Sequence, residues 1–183
     1  MTSAKAEQAE RLVAALNSLL EGEGVVTALV ALGPVAIAPL RRFLLDRRWA
    51  VQALGGLGAR EVLIEYLTSR LPADPQLRFA EEAVQNAAVR EFLRWPDAAT
   101  ADFLLDLSRK RVLSGLVEVL GKLRLVEAIP YLDRALEDDV CRLPAEEALI
   151  EIGEPARQAV ILSATTPLPD KDNETTSSLR RRQ

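Results

Sequence analysis

Two pairs of adjacent glutamates are the residues of this sequence that could carry acid–base chemistry. Glu81 and Glu82 form the first pair, and Glu146 and Glu147 form the second. Adjacent side chains on a helix point about 100° apart, so the carboxylates of one pair do not converge on a substrate. The sequence has no histidine and one cysteine, Cys141, which excludes Ser-His-Asp and Cys-His sites and the usual zinc and iron ligand sets. We therefore predict no catalytic, cofactor-binding or metal-binding residues, and a non-enzymatic function is favoured.

Arginine and tryptophan cluster in two places. The first cluster runs from Arg41 to Trp49 and includes Arg47 and Arg48, and the second contains Arg94 and Trp95. Such clusters can contact phosphates and stack on bases, which indicates nucleic-acid binding as one interpretation. The alternative is structural, because arginine near a helix C-terminus interacts favourably with the helix dipole. The net charge of -4 argues against a nucleic-acid or membrane-surface protein.

The elements that position these residues are predicted to be helices. Apolar residues recur at helical spacing nearly throughout, and no segment shows the sustained alternation of a half-buried strand. Aromatic residues make up only 4% of the chain, so the core must consist of Leu, Ala, Val and Ile. Gly, Pro and Asp mark the ends of the apolar segments. The sequence predicts an all-α fold with helices at about 3–21, 24–33, 34–45, 47–57, 60–70, 77–94, 97–108, 110–122, 126–137, 141–152 and 154–164.

The longest uncharged run extends from Gly24 to Leu40. It is slightly short for a membrane span, and it contains Gly33-Pro34 and Pro39. We therefore interpret it as two buried helices that meet at Gly33-Pro34. The N-terminal segment lacks the basic start and apolar core of a signal peptide, and a lone cysteine cannot form an intrachain disulfide. These features favour a cytoplasmic location.

A Leu-Gly or Ile-Gly pair follows a predicted helix at four points, beginning at Leu32, Leu57, Leu120 and Ile152. The pattern is most complete in "LLDRRWAVQALGGLG" from Leu44 and in "LEDDVCRLPAEEALIEIG" from Leu136. In this arrangement of an acidic turn, an alanine-rich helix and a closing glycine, the chain resembles the HEAT-like repeat proteins. It is most similar to the short repeats of phycobilisome lyases, which also occur in many bacterial proteins.

The resemblance covers residues 24–164 and implies an α-solenoid, or superhelix, of about five HEAT-like helix pairs. One helix pair cannot bury its apolar face alone, but stacked pairs share a continuous core. We expect a repeat domain over 1–164, in which residues 1–21 form a capping helix. Residues 165–183 are polar and are predicted to form a disordered tail. Arg180–Arg182 in this tail could bind an anion, although a solvated tail end is the simpler interpretation.

The function implied by the resemblance is that of a non-catalytic adaptor or scaffold without a cofactor. The second helices of such repeats line a concave face, and their acidic residues here favour a basic segment of a protein partner. An ordinary solvated face is the alternative. A bilin-lyase-like chromophore-handling subunit and nucleic-acid binding through Arg41–Trp49 are the alternative functions. The predicted partner-binding residues are Glu81, Glu82, Gln85, Glu118, Glu146, Glu147, Arg47, Arg48, Trp49, Arg94 and Trp95.

Overall fold

The computed structural model describes residues 2–16, 22–43 and 48–165, and all regular secondary structure within these ranges is helical. The predicted all-α class is confirmed for this part of the chain. Residues 166–183, with Arg180–Arg182, lie outside the described residues. The helices are α1 (Thr2–Ala15), α2 (Gly22–Leu32), α3 (Ile37–Phe43), α4 (Arg48–Gly56), α5 (Arg60–Thr68), α6 (Pro75–Glu91), α7 (Ala98–Ser108), α8 (Ser114–Lys122), α9 (Ile129–Ala135), α10 (Arg142–Ile152) and α11 (Glu154–Thr165).

Aspartate side chains begin two of the longer helices. Asp74 accepts hydrogen bonds from the backbone N–H groups of Gln76 and Leu77, at 2.8 and 3.2 Å, and Pro75 occupies the first helical position of α6. Asp97 accepts from the Thr100 N–H at 2.7 Å at the start of α7. Each carboxylate satisfies amide groups that have no partner within the helix. These caps explain why both helices begin close to the predicted positions.

Glycines in a left-handed backbone conformation follow three helices. Gly33, Gly58 and Gly153 have φ angles of 75°, 70° and 81°, a conformation that glycine adopts without a steric penalty. Gly121 differs, because it lies inside α8, and Arg124 with φ of 52° follows that helix instead. The Leu-Gly pair therefore does not close a helix here as it does at the other glycines, although the predicted end of this helix at residue 122 agrees with the end of α8. A Cβ atom at Gly121 would lie 2.5 Å from the Cα of Ala148, so this glycine allows a close contact between α8 and α10.

The even-numbered helices α2, α4, α6, α8 and α10 pack against one another in chain order, and we call them the even layer. Each of α4, α6, α8 and α10 also contacts the odd-numbered helix that precedes it in the chain. The core between the helices is formed mainly by leucine, alanine and valine, with Phe92 as its largest fully buried side chain. Among these, the small side chain of alanine lets helix axes approach closely.

A glycine lies at every interface of the even layer. A Cβ atom at Gly56 would meet Val30 of α2 at 2.7 Å, and one at Gly55 would meet the Glu91 carboxylate of α6 at 2.0 Å. A Cβ atom at Gly115 would meet the backbone oxygen of Asn86 in α6 at 2.6 Å. Gly115 and Gly121 meet backbone atoms of the neighbouring helix, so the α6–α8 and α8–α10 crossings require a missing side chain. At the other two crossings, the side chains of Val30 and Glu91 could shift.

The apolar N-terminal run is divided as predicted. α2 ends at Leu32, a 3-10 turn covers Gly33–Ala36, and α3 begins at Ile37. By length and composition alone, Gly22–Arg41 could also cross a membrane, and 28% of its most apolar window is buried inside the protein. α2 contacts both α1 and α4, so part of the run is used in helix packing.

Candidate functional site

The even-layer helices α6, α8 and α10 begin around a surface groove with a volume of about 450 Å³. Three large apolar side chains stand at this groove in contact with solvent. Phe79 is 77% exposed, Val112 is 58% exposed and Val140 is 74% exposed. Side chains of this size are more often buried, so their grouping at one groove marks it as a candidate binding surface. The other lining residues are Glu82, Ala83, Asn86, Leu113, Ser114, Asp138 and Cys141.

Hydrogen bonds from backbone N–H groups to side-chain oxygens hold two of the segments at the groove. Asp138 accepts from the N–H groups of Val140 and Cys141, each at 3.0 Å, which orients the turn before α10. The N–H of Gly115 donates to the Asn86 side-chain oxygen at 2.8 Å, and this bond joins the start of α8 to α6. These hydrogen bonds hold the turn before α10 and the start of α8 in position at the groove.

A cationic cavity of about 660 Å³ adjoins the groove and shares Glu82, Val112 and Leu113 with it. Its basic residues come from the loop after α5, from α6 and from the loop before α8. They are Arg70, Arg78, Lys110 and Arg111. A third, smaller cavity of about 310 Å³ continues past Lys110 and Arg111 and adds Arg109 and Arg134. The apolar groove thus has a positively charged flank on the side where the odd-numbered helices end.

The basic residues of the cationic cavity differ in how they are held. Lys110 forms an ion pair with Asp106. Arg111 donates to the side-chain oxygen of Gln85 at 2.8 Å and to the Ser69 carbonyl at 2.6 Å. Among the described residues, neither Arg70 nor Arg78 has a carboxylate partner, and Arg78 donates through Nε to the Pro72 carbonyl. These two guanidinium groups can therefore bind an anionic group without first breaking an ion pair.

A buried polar cluster lies beneath the cationic cavity. Gln85 is fully buried and Glu81 is 8% exposed, so the expectation that both face a solvated groove is wrong. Gln85 instead accepts a hydrogen bond from Arg111. The pKa of Tyr66 is raised above its ordinary value, mainly by burial and secondly by the nearby Glu81 carboxylate. Sequence reasoning missed Arg111 as the residue that bridges α6 and the loop after α5. The polar "SRKR" segment, which ends at Arg111, was the sequence signal for this residue. A run of basic residues does not indicate, however, which of them turns inward.

The other predicted acidic residues do not share one surface. Glu82 lines the groove and the cationic cavity. Glu118 accepts from Arg90 of α6 at 2.6 Å and also binds Lys122. Burial alone raises the pKa of Glu118, but these two cations outweigh it and hold the pKa below its ordinary value. Glu146 and Glu147 are exposed on α10, and neither forms an ion pair with a described residue.

The Arg/Trp clusters are used mainly in packing. Trp49 is half-buried, and its indole lies over Gly22, where a Cβ atom would be 2.4 Å from the ring. Trp95 contacts Phe92 edge to face, with ring centroids 5.6 Å apart. Arg94 pairs with Glu91 at 2.6 Å. These contacts favour the structural interpretation of both tryptophans.

Two predicted residues of the first cluster have no described side chain. Arg47 lies outside the described residues, and Arg48 is described only as the first residue of α4. Arg41 at the other end of the cluster pairs with Glu65.

Metal and thiol chemistry receive no support from the described residues. No group of three His, Cys, Asp or Glu side chains in the described ranges is placed to hold a metal ion. Cys141 is 3% exposed, and burial, assisted by Asp138, raises the pKa of its thiol to about 11. A buried thiol with a raised pKa is a poor nucleophile at neutral pH.

A scan against protein-family models finds no match for this chain, and a search of curated protein sequences finds no relative.

Proposed function

We propose that the chain is a non-catalytic protein–protein interaction adaptor built as a HEAT-like α-solenoid. The sequential packing of the even layer and the glycine at each of its interfaces support the solenoid part of the proposal. The left-handed glycines after α2, α4 and α10 support a repeated helix-pair unit. A cytoplasmic location is part of the same proposal, because the single thiol needs no oxidising compartment.

One observation carries the adaptor function: exposed Phe79, Val112 and Val140 surround a groove whose neighbouring cavity contains Arg70 and Arg78 without carboxylate partners among the described residues. Covering one such apolar side chain contributes about 1.5–3 kcal/mol, which is a large share of a micromolar affinity of about 8 kcal/mol. The guanidinium groups add selectivity for carboxylates or phosphates on the partner. The best-fitting partner is therefore a protein segment with an apolar anchor and adjacent acidic or phosphorylated residues.

This partner differs from the basic segment that the sequence suggested. The sequence-based expectation required Glu81, Gln85 and Glu118 to line one acidic surface. Burial of the first two and the ion pairs of Glu118 remove them from such a surface. The charge next to the groove is instead mainly positive, which favours an acidic partner.

Selection from a random peptide display library tests the proposal, because it requires no ligand to be chosen in advance. The full chain serves as bait, and a variant with Arg70→Glu and Arg78→Glu serves for counter-selection. We expect enriched peptides to share an apolar residue beside at least one acid and to bind the variant about tenfold more weakly, as expected for lost charge pairs. A variant with Lys5→Glu and Arg11→Glu on α1 carries the same change in net charge and should bind normally.

Two results of this selection would contradict the proposal. In one, no peptide motif is enriched. In the other, the enriched peptides bind the Arg70→Glu/Arg78→Glu and Lys5→Glu/Arg11→Glu variants equally weakly, which shows that net charge rather than the cavity controls binding.

A further inference from the structure

No helix among the described residues covers the C-terminal end of the even layer. α10 is the last helix of this layer in the described part of the chain, and α11 follows it without joining the layer. We compare α10 with α4 and α8 by counting back from the residue in left-handed conformation that follows each of these three helices. This residue is Gly58 after α4, Arg124 after α8 and Gly153 after α10.

The position three residues before the reference residue faces the next helix of the layer. Gly55 holds this position in α4 and contacts Glu91 of α6, and Gly121 holds it in α8 and contacts Ala148 of α10. The position seven residues before the reference is also covered, since Val51 and Val117 are both fully buried. In both earlier helices, a following helix therefore covers this stripe.

The same stripe on α10 is open. Ile150, three residues before Gly153, is 77% exposed, and Glu146, seven residues before it, is exposed. Leu143 lies two turns before Ile150 on the same side and is 70% exposed. Glu147 and Glu151 flank the stripe. We define Leu143, Glu146, Glu147, Ile150 and Glu151 as the end face.

The end face is negatively charged. None of its three carboxylates forms an ion pair with a described residue, whereas Glu118, which is equivalent in position to Glu147, is paired with both Arg90 and Lys122. Like charges at i and i+4, as in Glu147 and Glu151, destabilise a helix unless a cation offsets them. A second copy that docked its own end face here would bring six carboxylates together, which disfavours a symmetric dimer.

We propose that the end face binds a cationic amphipathic helix of a partner protein, which continues the even layer by one helix. A helix is the expected occupant because helices cover the equivalent stripes of α4 and α8. Apolar side chains of the partner would cover Leu143 and Ile150, and its arginine or lysine side chains would pair with the three glutamates. The end face differs in residues and in charge from the groove at Phe79, so this inference stands independently of the proposed function.

A labelled synthetic peptide tests the proposal by fluorescence anisotropy on the full chain. The probe is an amphipathic helix with leucine on one face and arginine on both flanks, and the reference is a scrambled peptide of the same composition. We expect the full chain to bind the amphipathic peptide at least about tenfold more tightly than the scrambled one. The double variant Ile150→Asp/Glu147→Lys should lose this preference, and circular dichroism should show an unchanged fold because both residues are exposed.

A matched control is available in the 3-10 turn Val126–Ala128, between α8 and α9. Val126 is 46% exposed and is followed by exposed Glu127, so Val126→Asp/Glu127→Lys makes the same chemical change away from the end face. This control should bind the peptide as the unmodified chain does. Equal weakening by both double variants, or equal affinity for the amphipathic and scrambled peptides, would overturn the proposal.

Two other occupants would give distinct results. If Arg180→Gln/Arg181→Gln/Arg182→Gln in the full chain raises the affinity for the peptide, residues 166–183 cover the end face, and the partner-helix proposal is overturned. If sedimentation shows a dimer that Ile150→Asp converts to a monomer, a second copy covers the face, and the proposal is likewise overturned. Loss of binding in the groove variant Phe79→Ser would assign the peptide to the groove instead of the end face, which also overturns the proposal.

Discussion

Replacing Gly121 with alanine should change the stability of the protein in two opposite ways, through helix propensity and through packing against α10. Gly121 lies inside α8, where alanine improves helix propensity by up to about 1 kcal/mol. The new Cβ, however, would lie 2.5 Å from both Cα and Cβ of Ala148. Because the Cα of Ala148 belongs to the backbone of α10, this steric clash can be relieved only if α8 and α10 move apart. Overpacking of this kind destabilises by about 1–3 kcal/mol.

The net expectation is that Gly121→Ala lowers the free energy of unfolding by about 1–2 kcal/mol. Gly24→Ala is the matched control, because Gly24 also lies in a helix but a Cβ atom added there would have no neighbour within 4 Å. This control should be neutral or stabilising by up to about 1 kcal/mol. Urea unfolding followed by circular dichroism measures both, and the midpoints should differ by about 1 M at equal slope. Equal stability of Gly121→Ala and Gly24→Ala would refute this reasoning.

Three further predictions concern single side chains. Arg124→Gly should stabilise by about 0.5–1 kcal/mol in thermal or urea unfolding, because Arg124 has a φ of 52° that glycine adopts without strain. Glu118→Gln should lower the free energy of unfolding by roughly 1 kcal/mol at pH 7. This difference from the unmodified chain should shrink as the pH falls below the ordinary value of 4.5 and through the lowered pKa of Glu118. The reason is that protonation of Glu118 ends its bonds with Arg90 and Lys122. Cys141 should react with a thiol reagent at least about a hundredfold faster in urea than in buffer, because in the folded chain its side chain is 3% exposed and the pKa of its thiol is raised to about 11. Equal rates would show that the turn before α10 is open.

Most helices could be predicted from the sequence because local chemistry determines their ends. Asp74-Pro75 and Asp97 cap helices directly, and Gly33, Gly58 and Gly153 end them in a conformation that other residues rarely adopt. These signals act over a few residues and do not depend on tertiary contacts. The predicted ends at these points therefore differ from the observed ends by no more than two residues.

Gly121 shows where local chemistry fails. The Leu-Gly pair at this point has the same letters as the pairs at Gly33 and Gly58, but its glycine is required for contact with Ala148. A close approach between two helices depends on their crossing, which no short segment encodes. The predicted helix 110–122 ends where α8 ends, but the Leu-Gly pattern did not indicate that the left-handed residue is Arg124 and that the glycine stays inside the helix.

The binding surface was harder to predict than the helices. Glu81 and Glu82 are neighbours in sequence, yet one is buried against Tyr66 and the other lines the groove. The apolar residues Phe79 and Val140 resemble ordinary core positions, and only the packing of α6, α8 and α10 shows that both remain exposed. Spacing identifies the side of a helix on which a residue lies, but whether another helix covers that side is a tertiary property.

We propose above that the groove at Phe79 binds a protein segment. The most direct test is calorimetric titration of a peptide selected on the full chain into three proteins: the unmodified chain, Phe79→Ser and Leu77→Ser. Leu77 is 60% exposed on the same helix but does not line the groove, so it controls for the loss of an exposed apolar side chain. We predict that Phe79→Ser weakens binding at least about tenfold, while Leu77→Ser leaves the dissociation constant within about twofold. Equal dissociation constants for Phe79→Ser and Leu77→Ser would contradict it.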